Sequence, residues 1–90
     1  MLRIRRSADG GDAAFTLSGR MGQEDVGELE TLIRSEVNGV RIVLDLKDLT
    51  LVDQDGINFL VRCEAGNIAL KNCPAYIREW ITRQRRDAED

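Results

Sequence analysis

The stretch Val40-Arg41-Ile42-Val43-Leu44-Asp45-Leu46 constrains the fold more than any other part of the chain. Val40, Ile42, Leu44 and Leu46 alternate onto one face, and Val43 adds an apolar residue on the other. Alternation of this kind marks a strand, and apolar character on both faces places that strand centrally in its sheet. A central strand needs partners on both sides and a second layer over its apolar face. The 90 residues allow one domain with a thin core. With one Trp, one Tyr and two Phe, that core must come mainly from Leu, Ile and Val.

The flanking sequence supplies the other elements. Leu2 and Ile4 alternate with Arg3 and Arg5 as a short strand. Asp9-Gly10-Gly11-Asp12 is a turn, and Ala13 to Ser18 returns as a second strand with Phe15 and Leu17 on one face. Gly19 and Gly22 break that pattern. From Gln23 to Val37 the spacing of Val26, Leu29, Leu32, Ile33 and Val37 is helical, with Glu24, Asp25 and Glu28 early and Arg34 late, as the helix dipole favours. Asn38-Gly39 is its stop. After the central strand comes a turn, then a second apolar stretch of Leu49, Leu51 and Val52. A helix follows from Gln54 to Ala65 with a buried stripe of Ile57, Leu60, Val61 and Ala65, closed by Gly66-Asn67. Ile68 to Lys71 is a short strand with Ile68 and Leu70 on one side. Asn72-Cys73-Pro74 opens a third helix, whose apolar face is Tyr76, Ile77, Trp80 and Ile81. The almost wholly charged segment from Arg83 to Asp90 is expected to fray.

The order β-β-α-β-α-β-α implies an antiparallel hairpin followed by parallel pairings. The predicted fold class is therefore α/β, a mixed four-stranded sheet with amphipathic helices on one face. Residues 1–86 are read as a single domain and 87–90 as a charged tail.

Composition narrows the function. The formal net charge of −3 disfavours a general nucleic-acid binder, which needs a basic face. The absence of His removes the commonest general base and metal ligand. No apolar run is long enough to span a membrane and no signal region follows the N-terminal charges, so a cytoplasmic location without direct membrane insertion is expected. Cys63 and Cys73, the only cysteines, are expected to be free thiols there.

The chemistry-bearing segment is Asp53-Gln54-Asp55-Gly56, which opens the second helix. Asp53 is suited to the N-cap, Asp55 to the first turn, and Gly56 to a close approach between the helix and the neighbouring backbone. This segment resembles the STAS family, which includes bacterial anti-sigma factor antagonists. In that family an apolar strand ending in Asp-Leu leads through a short apolar stretch to Asp-Ser-Ser-Gly at a helix start; here the counterparts are Asp45-Leu46, Leu51-Val52 and Asp53-Gln54-Asp55-Gly56. Leu17-Ser18-Gly19-Arg20-Met21 is similar to the family's Leu-x-Gly-x-Leu, and Pro74-Ala75-Tyr76 to its Pro-Ala-Val. The resemblance runs from about Leu2 to about Trp80.

The resemblance implies a non-enzymatic, protein-binding regulatory module that needs no cofactor or metal. Its implied contact surface is Asp53, Gln54, Asp55, Gly56 and Asn58, with Arg20, Gly22, Gln23 and Glu24 from the loop before the first helix. In regulated members a partner kinase, itself the anti-sigma factor, phosphorylates the second serine of Asp-Ser-Ser-Gly. Asp55 occupies that position and cannot accept phosphate from a serine kinase. Asp55 then either holds the site in a phosphorylated-like state or merely caps the helix. Gly22 replaces an acidic residue that the family often has near the switch. Regulated members also continue past the third helix with a further strand and helix, so the chain reads as a short, divergent branch. The partner is accordingly an anti-sigma factor or similar kinase-like protein. The alternatives are a transporter subunit, with the chain serving a lipid or small-molecule transport assembly, and a structural homodimer.

Other residues carry weaker readings. Asp45, Asp48, Asp53 and Asp55 could gather as a metal or acid-base cluster, although turn and capping roles account for them. Cys73 at a helix start could have a lowered thiol pKa, but no general base is near it in sequence. Arg78, Arg83, Arg85 and Arg86 form a basic cluster, read as a dipole-matched helix end rather than a phosphate patch. Tyr76 and Trp80 are read as core or dimer contacts rather than a stacking surface for bases.

Overall fold

The computed structural model describes residues 2–36 and 39–89. Strands β1 (Leu2–Asp9), β2 (Asp12–Met21), β3 (Ile42–Val52) and β4 (Ala69–Lys71) are joined with helices α1 (Gln23–Arg34), α2 (Gln54–Ala65) and α3 (Ala75–Glu89) in the order β-β-α-β-α-β-α. The strands lie side by side as β1-β2-β3-β4, the first pair antiparallel and the other two parallel. β3 is therefore interior, as a strand apolar on both faces must be. The hairpin turns through Gly10 at φ 60° and Gly11 at φ 91°. That is the type I′ geometry, whose twist matches that of the strands it joins.

One face of the sheet carries the core. Ala13, Phe15, Leu17 and Met21 of β2 and Leu44, Leu46, Leu49 and Val52 of β3 are buried against Leu29 of α1, Ile57 and Leu60 of α2, and Ile77 and Ile81 of α3. Burial of each large side chain of this kind is worth about 1.5–3 kcal/mol relative to exposure. Among the described residues no helix lies over the opposite face. Register sets Arg5, Thr16, Asp45 and Lys71 in one row across it, and Ser7, Ala14, Val43 and Ala69 in the next. These small and polar side chains let that face stand against water.

Several elements differ from the sequence reading. β1 reaches Asp9, and β2 passes through Gly19 to Met21 instead of breaking there. Gly19 holds φ 94°, which lets the strand kink without ending. α1 stops at Arg34 with Ser35 as its C-cap, short of the expected Val37. Val37 and Asn38 themselves lie outside the described residues. On α2, Phe59 and Cys63 are buried, whereas Val61 is half-buried and Ala65 exposed. α2 packs against both α1 and α3, so its buried arc is wider than a single stripe. Ile68 precedes β4 rather than opening it.

α3 is helical to Glu89, past Arg83 where fraying was expected. Its arginines are held by glutamates: Arg78 and Arg85 both reach Glu64 of α2 at 2.8 Å, and Arg83 reaches Glu79 at 2.8 Å. Three members of the basic cluster are thus occupied within the fold, two of them joining α3 to α2. On the other side of α2, Arg62 pairs with Glu30 of α1 at 3.0 Å.

Candidate functional site

β3 is one continuous strand of eleven residues, where the sequence pointed to a strand, a turn and a separate apolar stretch. Its pairing with β2 slips twice. Thr16 and Ser18 face Asp45 and Asp48, and Gly19 and Arg20 face Leu49 and Leu51. Each slip gives β3 one extra residue, which is a β-bulge. Inward positions two apart, Leu44 and Leu46, therefore become three apart at Leu49 and Val52. Leu51, expected beside Leu49 and Val52 in the apolar stretch, points out of the core instead and is 52% exposed.

The second bulge is held on both sides. Thr50 has no partner in the ladder; its hydroxyl donates to the Gly19 carbonyl at 2.8 Å. Its own carbonyl accepts a hydrogen bond from the Tyr76 hydroxyl of α3. Tyr76 is consequently drawn onto the surface, 47% exposed, and is not part of the core. Among the described residues, Leu51 and Tyr76 are the only large apolar side chains classed as exposed. Both flank the bulged residue.

Asp53 follows directly after β3 and does more than the expected capping. One carboxylate oxygen accepts from the Gly56 N–H of α2 at 2.9 Å, and the other from the Gln23 N–H of α1 at 3.2 Å. A single side chain thus fastens the first turns of two helices together, each by the charge-assisted bond that free N-terminal amides favour. Gly22 completes the junction: its N–H donates to Asp25 at 2.9 Å, and a Cβ there would sit 3.3 Å from an Asp53 oxygen. The backbone N–H of Asp53 donates to the Met21 carbonyl at 3.2 Å, tying the end of β3 to the end of β2.

Gly56 is required by a close approach, though to a side chain rather than to neighbouring backbone. A Cβ at this position would lie 2.5 Å from Val52 Cγ1. The remaining candidate residues divide by role. Gln54 donates to Asn58 one turn along α2 at 3.3 Å and to Gln84 of α3 at 2.9 Å, so Gln54 joins α2 to α3. Asp55, Arg20 and Glu24 are exposed, and none makes a side-chain hydrogen bond or ion pair among the described residues. Asp55 does not cap α2, because Asp53 fills that role. Arg20, Met21, Gly22, Glu24, Leu51, Val52 and Asp53 line an open depression of ≈ 350 Å³. Arg20, Gly22, Gln23 and Glu24 therefore meet Asp53 at one end of the sheet, with Leu51 added, whereas Gln54 turns toward α3 and Asp55 and Asn58 lie outside the depression.

The four carboxylates weighed as a metal cluster are dispersed. Asp45 accepts from the Lys47 N–H at 3.1 Å and from Asn72 at 3.3 Å, on the uncovered face. Among the described residues no three His, Cys, Asp or Glu side chains gather as a metal would need. The cysteines are free. Burial pushes the Cys63 thiol up to about 12, and burial also raises Cys73, against the opposing charge of Arg78. The lowered pKa expected for Cys73 is thus reversed, and both thiols stay protonated near neutrality. Among the described residues no helix is long and apolar enough to cross a membrane.

Comparison with solved structures gives this arrangement its fold. An uncharacterised protein of the DUF3478 family from Shewanella loihica PV-4, with a SpoIIAA-like fold, superposes on 94% of this chain and 75% of its own, at 21% identity and a TM-score of 0.55. The chain has a SpoIIAA-like fold. That is the fold which the resemblance to the STAS family implied. No protein-family model and no curated protein matches the sequence.

Proposed function

We propose that the protein is a non-enzymatic binding module of the anti-sigma factor antagonist type, and that it meets a partner protein at the bulged end of β3 and the start of α2. The observation that carries this reading is the exposure of two apolar side chains, Leu51 and Tyr76, on either side of Thr50 at the bulge, just ahead of an α2 start whose Asp55 is exposed and makes no side-chain bond among the described residues. Exposed apolar anchors next to charged groups with no internal partner are what a protein interface uses. The SpoIIAA-like fold supports a binding role. So does the commitment of Asp53 to two helix caps, which leaves it unsuited to acid-base work.

In this reading Asp55 stands where a regulated relative has its phosphorylatable serine and supplies a fixed single negative charge. A phosphoserine would supply about −1.5 to −2. The module then has one binding state, set by its sequence rather than by a kinase.

The test is affinity purification from native extract with the wild-type chain, Leu51→Asp, Asp55→Arg and Asp55→Ser. Gly56→Trp is avoided, because the clash with Val52 would disturb the fold. Loss of a heterologous protein partner with Leu51→Asp and Asp55→Arg supports the site. Gain of a kinase-like partner with Asp55→Ser identifies the charge as a built-in state. Retention of every partner by all variants sinks the site assignment. Capture of a transporter subunit, or of the chain itself alone, would replace the sigma-factor reading with one of the other two.

A further inference from the structure

β1 forms one edge of the sheet and runs for eight residues. The type I′ turn makes Asp9 and Asp12 the hydrogen-bonded closing pair of the hairpin. Counting back by twos, Ser7, Arg5 and Arg3 direct their backbone groups to β2. Leu2, Ile4, Arg6 and Ala8 direct theirs away from it. Among the described residues no backbone hydrogen bond joins these four to any element but β2. A long open edge of this kind is a template for another strand.

The side chains along the edge define what fits there. Arg3 and Arg5 project onto the uncovered face, in register with Ser18 and Thr16, and have no ion-pair partner among the described residues. Leu2 and Ile4 lie on the helix side, half-buried against the core. Arg6, also on that side, is held by Glu36 at 2.7 Å. A second copy of β1 does not fit. The antiparallel registers that pair most of the strand are centred on Arg5 or on Arg6, and each sets an arginine against itself. Like charges directly opposite one another destabilise a ladder.

We propose that the β1 edge takes up, by strand addition, an extended segment of a partner protein in which acidic residues alternate with apolar ones. The acidic residues lie over Arg3 and Arg5, and the apolar ones extend the core beside Leu2 and Ile4. Backbone hydrogen bonds to Leu2, Ile4, Arg6 and Ala8 supply the attachment, and the alternate side chains supply the selectivity. This surface is separate from the start of α2 and stands or falls without it.

The experiment is amide exchange by NMR on the full chain, with and without a synthetic peptide of alternating Glu and Val. The expected result is slowed exchange at Ile4, Arg6 and Ala8, with Arg3, Arg5 and Ser7 unchanged because β2 already protects them. That alternation would not arise from loose charge attraction. The double variant Arg3→Glu, Arg5→Glu should bind the peptide about tenfold more weakly and should prefer a Lys-Val peptide instead. Three results would overturn the proposal: no slowing at millimolar peptide, equal affinity in the charge-reversed variant, or protection of the same amides without peptide in a chain that sediments as a dimer.

Discussion

The two halves of β3 both feed the core but place their apolar residues differently. From Ile42 to Leu46 the strand keeps its period of two, and Leu44 and Leu46 are fully buried. From Lys47 to Val52 two extra residues change the inward spacing to three, and Leu51 is turned outward. The regular half builds the core. The bulged half carries that core, through Leu49 and Val52, to the starts of α1 and α2 while leaving Leu51 exposed. A single strand can thus build core along its length and still turn one apolar residue outward at its end, with bulges as the device; in the proposed function that residue is the anchor for a partner.

Paired substitutions break that comparison most sharply. Leu44→Ala should cost about 2–5 kcal/mol, a large share of the stability of so small a domain. Leu51→Ala, one strand with the same residue type, should stay within about 0.5 kcal/mol of wild type. Urea unfolding of both variants checks this, and equal losses would mean that Leu51 is core after all.

The junction after the bulges gives the next effects. Gly56→Ala should destabilise by about 1–3 kcal/mol through overpacking. In a Val52→Ala background the same change should cost much less, since the clashing methyl is gone. Additive losses in the double variant would refute the contact. Asp53→Ala removes a cap from each of two helices, and caps are worth about 0.5–2 kcal/mol apiece. Asp53→Asn keeps one acceptor oxygen and should recover part of that loss, whereas Asp55→Ala should change stability little. Circular dichroism melts of the three variants separate these outcomes.

The smallest effect belongs to the bulge itself. Tyr76→Phe deletes the hydroxyl that binds the Thr50 carbonyl and should cost about 0.5–1.5 kcal/mol. Thr50→Val removes the bond to Gly19 and should cost a similar amount. Amide exchange near Leu49 to Val52 should rise in both, with Ile42 to Leu46 unaffected.

Much of this was legible in the sequence, and the failures have one physical origin. Element order, the central position of β3, the hairpin turn and the cap at Asp53 follow from alternation, turn chemistry and capping preference, all of which are local. The bulges are not local, because they arise where β3 is matched against β2. Leu49, Leu51 and Val52 therefore read as one apolar stretch, and Tyr76 as core or a dimer contact. The spacing Leu46, Leu49, Val52 was the available signal, a period of three where a plain strand has two. The second cap made by Asp53 was hidden for the same reason: Gln23 is thirty residues away in sequence and adjacent only after β2 and β3 have paired. The reversed shift of Cys73 follows from its burial beside α3, which local sequence does not display.

The most direct test of the central claim is one paired measurement on Leu51→Asp: its unfolding free energy in urea and its partner recovery from native extract. The account predicts a stability within about 0.5 kcal/mol of wild type together with loss of the partner. A variant that is equally stable and still recovers the same partner would contradict it.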